Sequence, residues 1–176
     1  MLMYILIGVV VLIVGILALA AMRPDEFRME RSTTINTSPD RIYPNINDFH
    51  LWGGWSPWEK LDPALKRTFS GATSGVGAAY AWEGNNKVGS GRMEIMDSTP
   101  SSRVVIKLDF LKPFEAHNTA DFTIVANGAT TTVKWAMFGQ SPFMSKVMGL
   151  FVNVEQMIGR DFEKGLANLK AIAEST

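Results

Sequence analysis

The chain has no cysteine, and only two of its 176 residues are histidine. The first absence removes disulfides, thiolate metal ligands and thiol nucleophiles. The second leaves His50 and His117 isolated, in no spacing that would hold zinc. Net charge is missing too: 17 basic and 17 acidic groups cancel, so no overall field recruits nucleic acid. Charge is also absent locally, because Met1 to Met22 contain no ionisable side chain except Tyr4 and are almost wholly aliphatic.

That run is long enough, at about 1.5 Å per helical residue, to cross a hydrocarbon core of roughly 30 Å. No Lys or Arg precedes it, and it exceeds the roughly 7 to 15 residues of a signal core. Both features favour a retained single-pass anchor. A cleaved signal, with Ala18-Leu19-Ala20 as the small-residue site, and a buried core helix are the alternatives. Arg23, Arg28 and Arg31 follow the span, so the positive-inside rule favours a cytoplasmic domain, although Asp25, Glu26 and Glu30 lie among them. The expected organisation is an anchor over 1–22 and one domain over 26–174.

In that domain Phe27, Met29, Thr33 and Ile35 alternate with Glu26, Arg28, Ser32 and Thr34, the period of a strand covered on one face. Ser38-Pro39 predicts a helix start, with Pro39 where its missing N–H is harmless, and the helix should run to about Asn47. Three of the five tryptophans, Trp52, Trp55 and Trp58, fall within seven residues beside Gly53, Gly54 and Pro57. That composition predicts a bent, compact segment. Six further strands are expected: Arg67–Gly71, Val76–Glu83, Arg92–Asp97, Arg103–Lys112, Ala116–Ala126 and Thr130–Phe138. Asn127-Gly128 marks a hairpin between the last two. Short turns imply antiparallel pairing. Ser141-Pro142 opens a short helix. From Asn153 onward, Val154, Met157, Ile158, Phe162, Leu166, Leu169 and Ile172 recur at three and four, the stripe of an amphipathic helix. Gly165 lies on that stripe and would allow close approach to the sheet.

Burying the stripe against one face of a curved sheet gives an α+β fold. Strand parity then sends Tyr80, Trp82, Met93, Phe110, Asn118, Phe122, Trp135 and Met137 inward. Lys107, Asp109, His117, Asp121 and Lys134 go to the outer face. Asn118 is the one clearly polar residue sent among large apolar neighbours, so its amide needs a protein partner or a ligand. Trp55 and Trp58 are read as core or helix packing. Arg31 points inward near its strand's end, where a salt bridge is expected. No carboxylate pair falls on the inward face.

The order of elements, with Trp55-Ser56-Pro57-Trp58, Gly75-Val76-Gly77-Ala78-Ala79-Tyr80-Ala81-Trp82, Leu111-Lys112-Pro113-Phe114 and Gly159-Arg160-Asp161-Phe162-Glu163-Lys164-Gly165-Leu166, resembles the polyketide cyclase/dehydrase branch of the START/Bet v 1-like (SRPBCC) superfamily. The resemblance spans about residues 26 to 174. It implies a helix-grip fold, with a seven-stranded antiparallel sheet wrapped around the long C-terminal helix and enclosing an apolar cavity. As a guide to function it is broad, since the superfamily houses carriers, receptors, cyclases and chaperone activators.

The expected partner is therefore a hydrophobic small molecule or lipid, with membrane contact through residues 1–22. Its contacts are expected from Tyr80, Trp82, Met93, Phe110, Asn118, Phe122, Trp135, Met137 and Met157. The Gly71 to Gly77 turn lacks the Lys-Ser/Thr and following helix of a phosphate loop, and reads as a lip of the pocket. No nucleophile elbow, metal motif or cofactor motif is present. Binding without catalysis is the first reading. A cyclase or dehydratase, or an interaction module with a filled core, are the alternatives.

Overall fold

The structure, a computed structural model, describes residues 1–175. Helix α1 covers Leu2–Ala21 and is long and apolar enough to cross a membrane. Its side chains are exposed along almost the whole length, and Ala20 is buried near its end. Strand β1, Glu26–Ile35, follows, and buries Met29 and Ile35. Helix α2, Pro39–Asn47, starts at Pro39 as the spacing predicts, but Ser38 makes no side-chain capping bond. The preset φ of Pro39 and the acidic Asp40 in the first turn favour the start instead.

The Trp-rich segment is a chain of tight turns. A 3-10 turn at Phe49–Leu51 leads into the one-turn helix α3, Trp52–Trp55, and a second 3-10 turn spans Pro57–Lys60. Strands β2 (Lys66–Gly71), β3 (Ala78–Glu83), β4 (Ser90–Thr99), β5 (Arg103–Lys112), β6 (Ala116–Asn127) and β7 (Thr130–Gln140) come next, then α4 (Phe143–Met148) and α5 (Val154–Ser175). The seven strands form one sheet in the order β1-β7-β6-β5-β4-β3-β2, every neighbouring pair antiparallel.

Period-two alternation decides which face is covered. Val104, Ile106, Phe122, Ile124 and Val133 all point inward and are at most 3% exposed. A register shift between Ile95 and Asp97 ends the alternation of β4, and Met96, on the outer face with Arg92 and Glu94, is exposed. Helix α5 lies across the inner face, burying Phe162, Leu166, Leu169 and Ala173. Phe162 stacks on Trp135 at 4.0 Å between ring centroids, nearly parallel at 7°. The approach is close enough that a Cβ at Gly165 would sit 3.0 Å from Trp135 Cζ3 and 3.1 Å from Pro57 Cδ. Nearly two turns earlier, Arg31 crosses Gly159, where any side chain would collide with its guanidinium, and its Nε donates to Glu163 Oε1 at 2.9 Å. This is the salt bridge expected for Arg31.

The grip is not uniform along α5. Val154 and Met157 in its first turns are 36% and 56% exposed, whereas Leu166 and Leu169 are sealed. Removing the Phe162 ring should therefore loosen the end that holds. Phe162→Ala is expected to lower stability by about 3–5 kcal/mol, measured by denaturant unfolding of the full chain in detergent with tryptophan fluorescence as the signal.

Candidate ligand cavity

Because the start of α5 stands off the sheet, a cavity of about 1230 Å³ opens between them. The strands supply one wall, with Met93 from β4, Leu108 and Phe110 from β5, Asn118 and Ala120 from β6, and Trp135 and Met137 from β7. Ile158, Asp161 and Phe162 of α5 form the opposite wall, and Ser145, Lys146 and the segment 149–153 after α4 close a side. Arg23 and Pro24, just past α1, reach its edge. The floor is aromatic. Trp58 meets Trp135 and Phe162 edge-on at 5.7 and 6.2 Å, around the Trp135–Phe162 stack.

Tyr80, Trp82, Met93, Phe110, Asn118, Trp135, Met137 and Met157 all line this space. Phe122 does not, and its placement corrects the sequence expectation. It points inward but is fully buried, stacked on Trp135 at 4.9 Å and meeting Trp55 edge-on at 6.1 Å, beneath the floor. The Gly71 to Gly77 turn is likewise no lip. It closes the other end of the sheet, where Gly75 N donates to Asn47 O at 3.0 Å. Trp55 is core, its indole N–H donating to Asn45 O at 2.9 Å, while Trp58 packs on α5 and also faces the cavity.

Among the described residues, two buried side-chain polar atoms have no hydrogen-bond partner: Asn118 Oδ1 and the Trp135 indole Nε1. Both belong to residues on the cavity wall. An acceptor and a donor are thus left open among apolar surfaces, where an unmade hydrogen bond costs about 1–3 kcal/mol.

A charged group that strand parity could not place also faces the cavity. Glu59, on the 3-10 turn after Pro57, lines it with its side chain 8% exposed. The Tyr80 hydroxyl donates to Glu59 Oε1 at 2.5 Å, and Arg67 Nε donates to Oε2 at 2.6 Å. Burial, and then the bond to Glu59, push the Tyr80 phenol well above its ordinary value. The bond to Glu59 likewise raises Arg67. Near the mouth, Lys146 is buried and pairs with Asp25, and that hydrogen bond lowers the Asp25 carboxyl. On the outer face His117 Nδ1 lies 2.7 Å from Asp109, which raises the imidazole. No cluster of three His, Cys, Asp or Glu side chains able to hold a metal occurs among the described residues.

A family model described as polyketide cyclase / dehydrase and lipid transport matches residues 26–174. The chain belongs to this family. Among solved structures, the family member resembles protein CV1439 from Chromobacterium violaceum, at 13% identity and TM-score 0.58, over 86% of this chain and 99% of that one. It resembles Ara h 8.0201 at 11% identity and TM-score 0.59, over 86% and 99%. The di-domain ARO/CYC StfQ from the steffimycin biosynthetic pathway matches at 12% identity and TM-score 0.63, over 85% of this chain and 51% of StfQ. Likeness at these identities establishes the helix-grip fold and nothing finer. No curated protein matches by sequence.

The buried phenol gives a direct check on the wall. The chain has three tyrosines, Tyr4, Tyr43 and Tyr80. In an absorbance titration through about pH 9 to 11, where free phenols ionise, Tyr80→Phe should leave the curve unchanged. A drop of one tyrosine's worth of phenolate would put Tyr80 in water.

Proposed function

We propose that this chain is a single-pass, membrane-anchored binding protein whose cavity holds a hydrophobic small molecule or lipid bearing one compact polar group. One observation carries the reading: a largely apolar cavity of about 1230 Å³, two of whose wall residues, Asn118 and Trp135, hold a buried acceptor and a buried donor with no partner. Pockets for drug-sized ligands are typically about 300–1,000 Å³, mostly apolar with a few placed polar atoms. This one has room for a sterol-sized or acyl-chain ligand. A ligand hydroxyl donates to Asn118 Oδ1, or a hydroxyl or carbonyl oxygen accepts from the Trp135 indole N–H, once a side-chain turn brings the buried atom to the cavity surface. The anchor keeps the mouth close to the bilayer where such molecules partition, with Arg23, Arg28 and Arg31 favouring the cytoplasmic side.

Two carboxylates at the cavity wall, Glu59 and Asp161, support the cyclase or dehydratase reading. Both Glu59 oxygens are occupied, one by Tyr80 and one by Arg67, so it is poorly placed to take a substrate proton, and Asp161 belongs to no cluster of three acid or histidine side chains among the described residues. On that ground binding is put ahead of chemistry. A cavity of this volume also counts against an interaction module with a filled core.

The test is to purify the full chain in mild detergent from its own source and identify what stays bound by mass spectrometry. One apolar molecule with a single polar group, near one per chain, is expected. Asn118→Leu should retain it about tenfold less well, the equivalent of roughly 1.4 kcal/mol. Recovery of bulk membrane lipid alone, far below one per chain, would overturn the proposal.

A further inference from the structure

The chain's exposed apolar surface is concentrated at one end of the sheet. β1 begins there, and so does the connection from α1; the β5–β6 turn and the β7–α4 connection lie at that end too, since β1 pairs Glu26 with Gln140, β6 pairs Asn118 with Gly139, and β5 pairs Phe110 with Ala116. Outside α1, most large apolar side chains left in water belong to the two segments 111–114 and 143–157. Phe114 and Phe151 are each 69% exposed and Met144 is 67% exposed, with Leu111, Phe143 and Met148 beside them in sequence. Both segments also contribute cavity-lining residues, so this apolar surface is the rim of the mouth. Patches of this kind on a protein surface mark an interaction site.

Resting on the anchored reading above, we infer that the occupant of this rim is the bilayer that α1 enters, and that the cavity opens onto hydrocarbon. Three observations fix that choice. Helix α1 has 20 residues, about 30 Å, so a bilayer crossed by it ends near Ala21. Helix α4 packs against α1, Arg23 lies over Gly149 just past α4, and the buried Lys146 of α4 pairs with Asp25 in the connector. These contacts hold α4 at the level where the span leaves the hydrocarbon. Arg23 and Lys112, at the same mouth, make no ion pair among the described residues, and they meet lipid phosphates at that depth. The rim aromatics and methionines sit in the acyl boundary as an interfacial anchor does. Ligand then moves between bilayer and cavity without crossing water.

The absence of cysteine makes the test clean. Nitroxide labels are placed one at a time by Leu12→Cys, Phe114→Cys, Met144→Cys, Phe151→Cys and Val76→Cys in the full chain, reconstituted in vesicles of phosphatidylcholine with phosphatidylglycerol. Power saturation with oxygen and a water-soluble nickel complex reads the depth of each label. Nickel accessibility several-fold lower at 114, 144 and 151 than at 76, with 12 deep in hydrocarbon, is the expected result. With 12 deep and 114, 144 and 151 as accessible as 76, the rim inference fails while the anchor stands. Label 12 in water would overturn the anchor and the rim together.

Discussion

The stack of Phe162 on Trp135 decides how much of α5 the sheet can hold. On one side of it the helix approaches the strands so closely that a Cβ at Gly165 would press on Trp135 and Pro57, and Leu166, Leu169 and Ala173 are sealed. On the other side the helix diverges, and Met157 and Val154 are left partly in water. Protein interiors are normally packed as densely as organic crystals. A hollow of this size is therefore not slack in the core but a consequence of where the aromatic contact stops the helix. The Arg31–Glu163 pair, passing over Gly159, sits at that point of divergence and ties the helix to β1 as it leaves the sheet.

The Trp-rich turns serve the same geometry. Trp52 and Trp55 donate their indole protons to Ile46 O and Asn45 O, which fixes the turns to the end of α2 with no buried donor left over. Asn168 of α5 donates to Trp55 O, so the helix is joined to the same unit. With those ends fixed, Trp58 meets the floor and Glu59 is presented to Arg67 on the edge strand β2 and Tyr80 on its neighbour β3. The cavity wall at β3 is thereby held by the Tyr80–Glu59 hydrogen bond, and Glu59 in turn by Arg67 of the neighbouring β2, rather than by packing alone.

Parity along a strand made much of this legible, because a period of two assigns each residue to a face. It assigned Asn118 and Trp135 correctly to the inner face. It carries no information about depth along the strand, and depth separates a cavity wall from a core. Phe122 and Trp135 share a face, but one lies beneath the aromatic floor and the other forms it. The Gly71 to Gly77 turn failed for the same reason: its glycines announced a turn, and nothing local announced which end of the sheet it would close. Glu59 was invisible for a different one. It sits on a 3-10 turn, where neither the helix nor the strand period applies, and its inward direction follows from Pro57 and the neighbouring tryptophans. The buried Lys146 depends likewise on a contact with the connector after α1, far away in sequence.

Where a ligand comes from changes which interaction selects it. A molecule taken from water gains roughly 25 cal/mol for each Å² of apolar surface it buries, and in such a cavity that gain would dominate. A molecule taken from a bilayer has already made most of that gain, since acyl chains are about as apolar as Phe110, Met93 and Met137. Affinity must then come from fit to the cavity and from the polar atoms that lipid tails cannot satisfy. On the proposed reading, Asn118 Oδ1 and the Trp135 indole N–H, both buried and unpaired, are those atoms. At about 1–3 kcal/mol for each bond completed, the pair can prefer a molecule that offers both a donor and an acceptor by roughly one to four orders of magnitude over one that offers neither. On the binding function proposed above, these two atoms are what would distinguish a ligand from the surrounding hydrocarbon.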